Sequence, residues 1–183
     1  MDKNYTTFEN FQLLEENLIP SRSCLLFYEN AFSKIKLIQK ITSTQSLPIL
    51  YIDLDFLFSG YVKSELFTIQ NLTLFSTLES KINEILPEIL TKISTEPHLI
   101  IFDSINGLYN SFSNDADSGR LVNTILMLLA RNVSFSNSIL LIFALAGKKQ
   151  ENWLLPNGRQ ILENNNIKKI IISDRSKITI ENN

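Results

Sequence analysis

Three stretches of this 183-residue chain carry side chains that can do chemistry. The first, YENAFSKIK from Tyr28 to Lys36, puts Ser33 and Lys34 just after an apolar run and at the start of an amphipathic pattern. A lysine so placed can hold phosphate oxygens, although Glu29 brings negative charge to the same turn and opposes an anion. The second, YIDLDFLF, carries Asp53 and Asp55, and the third, HLIIFDS, ends on Asp103 and Ser104. A carboxylate at the tip of a buried strand can hold magnesium through water. A second carboxylate on a neighbouring strand can polarise an attacking water. Simpler duties fit these residues too: Asp103 and Ser104 can cap a turn, and Asp53 and Asp55 can be a solvent-facing strand end.

The elements that must position these groups are legible as alternating patterns. Cys24 to Tyr28, Pro48 to Leu54, His98 to Phe102 and Ser138 to Ala144 are apolar without polar alternation, as expected of strands covered on both faces of a parallel sheet. Helical patterns separate them over Ser33 to Thr42, Leu78 to Ile93 and Arg120 to Asn132, with Pro87 expected to kink or divide the second. Thr68 to Phe75 reads as a further strand. Asn166 to Ser173 and Lys177 to Ile180 read as a closing antiparallel hairpin. The fold class is α/β, layered, with right-handed crossovers and a mostly parallel central sheet. In such a sheet ligands sit beyond the carboxyl ends of the strands, where all three chemical stretches fall.

Composition bounds the function. A chain with 44% hydrophobic and 20% charged residues is an ordinary globular domain. Its net charge of -2 offers no global attraction to nucleic acid or an anionic membrane. One Cys and one His argue against a zinc site, so no metal ligand set is expected, and the lone Cys24 excludes an internal disulfide. The polar start MDKNYTTFENF is not a signal peptide, no apolar run approaches the roughly 20 residues of a membrane helix, and a cytoplasmic setting is expected. Glycine occurs only 5 times, below the roughly 7% average, although nucleotide sites use it where backbone meets phosphate.

In order and texture these pieces resemble the ATPase core of the RecA superfamily, especially archaeal RadA and KaiC-like proteins. LLEENLIPSRSCLLFY, from Leu13 to Tyr28, resembles the lead-in to the first core strand. LYIDLDFLF resembles the second, with Asp55 in the place of the catalytic Glu. LIIFDSINGLY resembles the Walker B strand, with its Asp-Ser on Asp103 and Ser104, and LPNGRQILENNNIKKIII resembles the approach to the last strands. The resemblance implies a single three-layer RecA-like domain over residues 1–183, with 1–20 as lead-in and 21–183 as core.

The departures from the family pattern concentrate where ATP would touch. Both Walker A glycines are missing. With Glu29 on the first glycine, Ile35 falls on the lysine position. With Lys34 on the lysine, the loop is one residue short, Ser33 replaces glycine and Ile35 replaces the magnesium-binding hydroxyl. Leu145 to Gly147 offers no polar side chain where the family senses nucleotide. Glu29, Ser33, Lys34 and Ser104 then read as a vestigial nucleotide site, and Asp55 and Asp103 as vestigial catalytic residues. No cofactor is expected, and ATP with magnesium belongs to the alternative of an atypical ATPase using Lys34, Asp55 and Asp103.

Family DNA-binding loops correspond to Asn106 to Arg120 and Gly147 to Arg159. In the second, Lys148, Lys149 and Arg159 flank Trp153, a set that fits either a protein interface or single-stranded DNA. The expected role is an accessory subunit in homologous recombination and repair. Its expected partner is a RecA-like recombinase, another RecA-like subunit or a second copy of itself. A RecA-like scaffold outside repair, as in an Elongator-type assembly, is a further reading. The short segment Asn4 to Phe11 is a candidate for docking an aromatic residue on a neighbour.

Overall fold

The computed structural model describes residues 8–67, 69–76, 81–149, 152–161, 167–173 and 177–181. Apolar runs with no polar alternation become strands with both faces covered. β1 (Arg22–Tyr28), β2 (Ile49–Asp53), β3 (Leu72–Ser76), β4 (Leu99–Asp103) and β5 (Ile139–Leu145) join β8 (Ile167–Ile172) and β9 (Ile178–Glu181) in one seven-stranded sheet. Its order is β3-β2-β4-β5-β1-β8-β9, parallel throughout except for the antiparallel β8–β9 pair at one edge. Between β5 and β8 lies a separate antiparallel hairpin, β6 (Gly147–Lys149) and β7 (Asn152–Leu154).

Side chains alternate along each strand, so the sheet divides the core in two. Leu25, Phe27, Leu50, Ile52, Ile100, Phe102, Leu140 and Ile142 face one layer, made by α4 (Ile82–Thr95), α5 (Ile105–Ser111) and α6 (Ser118–Ser136). Cys24, Leu26, Tyr28, Ile49, Tyr51, Leu99, Ile101, Leu141 and Phe143 face the other, made by α1 (Phe11–Glu15), α2 (Ala31–Thr44) and α3 (Leu57–Lys63). The expected three-layer α/β domain with a closing antiparallel hairpin is what forms. Among the described residues no helix is long and apolar enough to cross a membrane.

Three expectations need adjustment. Pro87 does not divide its helix: α4 is one element from Ile82 to Thr95. The proline and Asn83, whose carbonyl it leaves unbonded, are both exposed, so water can serve that oxygen. Ile82, Ile85, Ile89 and Ile93 are buried beneath, and at about 1.5–3 kcal/mol each they outweigh a proline cost of roughly 3 kcal/mol. The strand expected from Thr68 begins at Leu72, with Thr68 itself outside the described residues. The stretch Asn106 to Arg120, expected as a loop, is largely α5 and the start of α6, because Ser104 caps α5 by accepting from the Gly107 N–H at 3.4 Å. Of the candidate docking segment, Asn4 to Thr7 lie outside the described residues, while Phe8 and Phe11 pack on the core beside α1 and α2.

The close seat of α5 on the bend after β2 depends on a missing side chain. A Cβ at Gly107 would stand 2.7 Å from the Leu54 carbonyl oxygen and from Leu54 Cβ. Neither neighbour is the end of a flexible side chain, so the helix would have to lift. Gly107→Ala should cost about 1–3 kcal/mol in urea unfolding, the usual range for overpacking.

Candidate functional site

Strand parity assembles the site. Tyr51 and Asp53 on β2 and Asp103 on β4 share the parity of the residues facing α2, and the β2–β4 register sets Asp53 beside Asp103. From the other side, β1 and α2 are separated only by Glu29 and Asn30. Asn30 starts the helix: its side chain accepts from the Ser33 N–H at 2.8 Å, and its carbonyl accepts from the Lys34 N–H at 3.3 Å. That start fixes Lys34 on the inner face of α2, and the long side chain crosses the end of β5 to reach β4.

Lys34 is 1% exposed and Asp103 fully buried. The Lys34 ammonium donates to both carboxylate oxygens of Asp103, at 2.7 and 2.9 Å, and lies 3.6 Å from Asp55 Oδ2. Tyr51 completes the group by donating its hydroxyl to Asp103 Oδ2 at 2.6 Å. The Tyr28 ring flanks the ammonium, with its centroid 5.2 Å from Nζ. Phe58 of α3 stacks on Tyr51 at 3.8 Å, and Phe67 stacks on Phe58. An aromatic wall therefore keeps water from one side of the charges.

This environment moves the titrating groups. Burial works against the charged form of Lys34, but Asp103, with smaller help from Tyr28 and Asp55, offsets it, and the amine ends above its ordinary value. Burial also pushes Asp103 up, against the pull of Lys34 and Tyr51. Burial drives the Tyr28 hydroxyl to about 12 and the Tyr51 hydroxyl well above its usual range, so both stay protonated donors.

The two carboxylates of YIDLD have separate roles. Asp53 ends β2 fully buried, against the reading of it as a solvent-facing strand end. One of its oxygens accepts from the Ser59 N–H at 2.6 Å and the Ser59 hydroxyl at 2.5 Å, anchoring α3, while Oδ1 has no hydrogen-bond partner among the described residues. Asp55 lies in the bend after the strand, 26% exposed, where it reaches both Lys34 and the flank of Gly107. Phe56 beside it takes the left-handed conformation at φ 61°, a cost of about 1–2 kcal/mol for a residue with a Cβ. On its outer side Asp55 lines a cavity of about 510 Å³ with Phe56, Lys81 and Asn110.

Lys34, Asp55 and Asp103 therefore do come together, with Glu29 on the preceding turn and Ser33 buried in the first turn of α2. Ser104 is spent on capping α5. Sequence reasoning missed Tyr51, which has the parity of Asp53 but needs the β2–β4 register before it can be paired with Asp103. It also missed Asn106, whose side chain clasps the end of β5 by accepting from the Leu145 N–H at 2.7 Å and donating to the Leu145 carbonyl at 3.2 Å. Among the described residues no cluster of three or more His, Cys, Asp or Glu is arranged to hold a metal ion.

The second candidate group is dispersed. Lys148 and Trp153 pair across the β6–β7 hairpin, with Lys148 and Lys149 exposed. The Trp153 ring is half-buried against the core and Leu155 is buried, whereas Leu154 between them is exposed. Arg159 turns inward. It donates to the Asn110 side chain at 2.7 Å and the Asn106 carbonyl at 3.3 Å, and its guanidinium lies over the Tyr109 ring.

No family model and no curated protein matches this sequence. Solved structures do match in fold. A KaiC-like protein from the hyperthermophilic archaeon Pyrococcus horikoshii superposes with a TM-score of 0.54 at 15% identity, over 92% of this chain and 79% of that one. The RadB recombinase gives 0.59 at 15% identity, over 87% and 79%. A further Pyrococcus horikoshii protein gives 0.57 at 14% identity, over 93% and 91%. At these identities the likeness concerns architecture, and the architecture is RecA-like.

Removing the ammonium leaves Asp103 charged and buried, so Lys34→Met should cost about 3–5 kcal/mol in urea unfolding, and adding Asp103→Asn should return most of it. The pH profile should separate them too. The amine of Lys34 has an ordinary value of 10.5 and a higher one when folded. Its contribution is fully present below pH 10.5 and is lost as pH rises through the folded value. Wild type should therefore lose stability more steeply above that pH than Lys34→Met does.

Proposed function

We propose that this protein is a non-catalytic RecA-like paralogue that serves as an accessory or regulatory subunit in homologous recombination and DNA repair. The observation that carries the reading is the two-residue connection between β1 and α2 together with the buried Lys34–Asp103 pair. Cradling a triphosphate takes several consecutive backbone N–H groups in a glycine-rich loop, and a hydroxyl for the metal. Here the turn is Glu29 and Asn30, Asn30 already accepts from the Ser33 N–H, and Ile35 follows the lysine. For Lys34 to meet a phosphate it would have to abandon a fully buried carboxylate.

The direction towards recombination draws on the likeness in fold to the RadB recombinase. A subunit that keeps the RecA-like shell can complete or cap an assembly of similar domains without turning over ATP. The partner is then a RecA-like recombinase, another RecA-like subunit or a second copy of this chain. The β6–β7 hairpin, with Lys148, Lys149 and Leu154 at the surface, is a contact surface for such a partner, and single-stranded DNA is the secondary candidate there. The same shell outside repair, as an Elongator-type scaffold, would differ in the proteins it binds.

One observation favours a second reading, an atypical ATPase. Asp55 and Asp103 each lie within 3.6 Å of the Lys34 ammonium, a grouping that residues sharing a nucleotide and its magnesium would also make. A titration of the purified protein with a fluorescent ATP analogue, with and without magnesium, separates the two. The accessory reading predicts no saturable binding up to millimolar analogue. Magnesium-dependent saturation that Lys34→Ala removes, followed by hydrolysis that Asp55→Asn abolishes, would establish the atypical ATPase instead. Proteins recovered with the tagged chain from its native cells then separate repair from other settings: a recombinase among them supports the first, its consistent absence the second.

A further inference from the structure

Two carboxylates meet one cation where β2 and β4 end: Asp103, fully buried, and Asp55, partly exposed. A buried carboxylate without a counter-charge is among the costliest features a fold can carry. In a magnesium–nucleotide site a divalent ion and its waters supply much of that counter-charge.

The residues present do not fit such an ion. Magnesium asks for near-octahedral oxygen ligation and keeps several waters. Both oxygens of Asp103 are already engaged, Oδ1 by the Lys34 ammonium and Oδ2 by the ammonium and the Tyr51 hydroxyl. The Tyr51–Phe58 stack walls one side, and the buried side chain of Ile35 follows Lys34 on α2. The ammonium itself stands between Asp103 and Asp55, the place from which a cation would serve both carboxylates.

We infer that Lys34 is a resident cation that has taken over the place of a divalent ion, so that the folded domain needs neither metal nor nucleotide to neutralise Asp103 and Asp55. The inference deepens the accessory-subunit reading and rests on it: it gives the reason such a subunit can hold its shape at any nucleotide level. Its geometry ties three elements together, because Lys34 belongs to α2, Asp103 to β4 and Asp55 to the bend before α3. These elements are held together by a side chain of the chain's own.

The test is manganese binding and thermal unfolding of the full chain. Wild type should show no water-proton relaxation enhancement with millimolar Mn²⁺, and its melting temperature should be unchanged by Mn²⁺ or magnesium. Lys34→Met should melt roughly 10 °C lower, and millimolar Mn²⁺ should restore part of that loss. The restoration should vanish when Asp103→Asn is added. Saturable Mn²⁺ binding by wild type that Asp103→Asn removes would overturn the inference, as would a folded Lys34→Met that is indifferent to Mn²⁺. If Lys34→Met does not fold alone, it is refolded from denaturant with and without Mn²⁺; recovery only with Mn²⁺ supports the inference and no recovery overturns it. Nucleotide binding by a wild type still indifferent to Mn²⁺ would sink the accessory reading and leave the role of Lys34 standing.

Discussion

A lysine ammonium and an aspartate carboxylate that are both out of water must stay within hydrogen-bond distance of each other, and much of this molecule is arranged around that requirement. Taking either ion out of water costs several kcal/mol, which only good geometry and further hydrogen bonds recover. Here the carboxylate is engaged through both oxygens and receives a tyrosine hydroxyl as well. The lysine must therefore leave α2 at one position, the helix must begin where Asn30 caps it, and β4 must end at Asp103. A shift of α2 by one residue would swing Lys34 off the inner face and strand the carboxylate.

The shell of the fold was legible in the sequence because its signals are local. Runs such as PILYIDL and HLIIF announce strands covered on both faces whatever surrounds them, and their alternation with helical patterns sets the layers. The site was legible in membership but not in arrangement. Lys34, Asp55 and Asp103 stood out as charged residues at strand ends, but the pairing of Tyr51 with Asp103 depends on β2 lying beside β4, a neighbourhood between segments about 50 residues apart. The separate roles of Asp53 and Asp55 turn on where β2 stops and bends, and the left-handed Phe56 in that bend has no sequence signature. That Pro87 does not divide its helix has a similar reason: its cost is local, whereas the four isoleucines that outweigh it act through the tertiary core.

A second network joins the site to the β6–β7 hairpin. Asn106 lies just after Asp103 and Ser104 and clasps Leu145, the last residue of β5, two residues before the hairpin begins at Gly147. Arg159, just past the hairpin, returns to Asn106 and Asn110 on the same short helix. Tyr109 of α5 donates to the Gln160 carbonyl at 2.5 Å, and Asn123 of α6 reaches the same carbonyl at 3.4 Å. The hairpin is thus held at both of its ends by α5, whose first residues follow directly from Asp103. Contacts made on the hairpin by a partner and changes at the strand-end charges share one rigid intermediary, although coupling between them needs α5 to have two positions, and the Gly107 contact leaves it little room for a second.

The RecA-like shell and the strand-end site draw their stability from different sources. The seven-stranded sheet and its two apolar layers rest on residues that never meet a ligand, so nothing in them requires the phosphate loop. The strand-end carboxylate Asp103 is different: buried with no cation beside it, it would leave a charge in the core. A lysine that swings inward removes that penalty in one step. With no phosphate to meet on the proposed reading, the turn is well served by Asn30, which caps the helix and orders the chain at lower conformational cost than glycine. On the proposed reading, the short turn and the inward lysine are two halves of one change, in which a charge once balanced by a ligand became balanced by the chain itself.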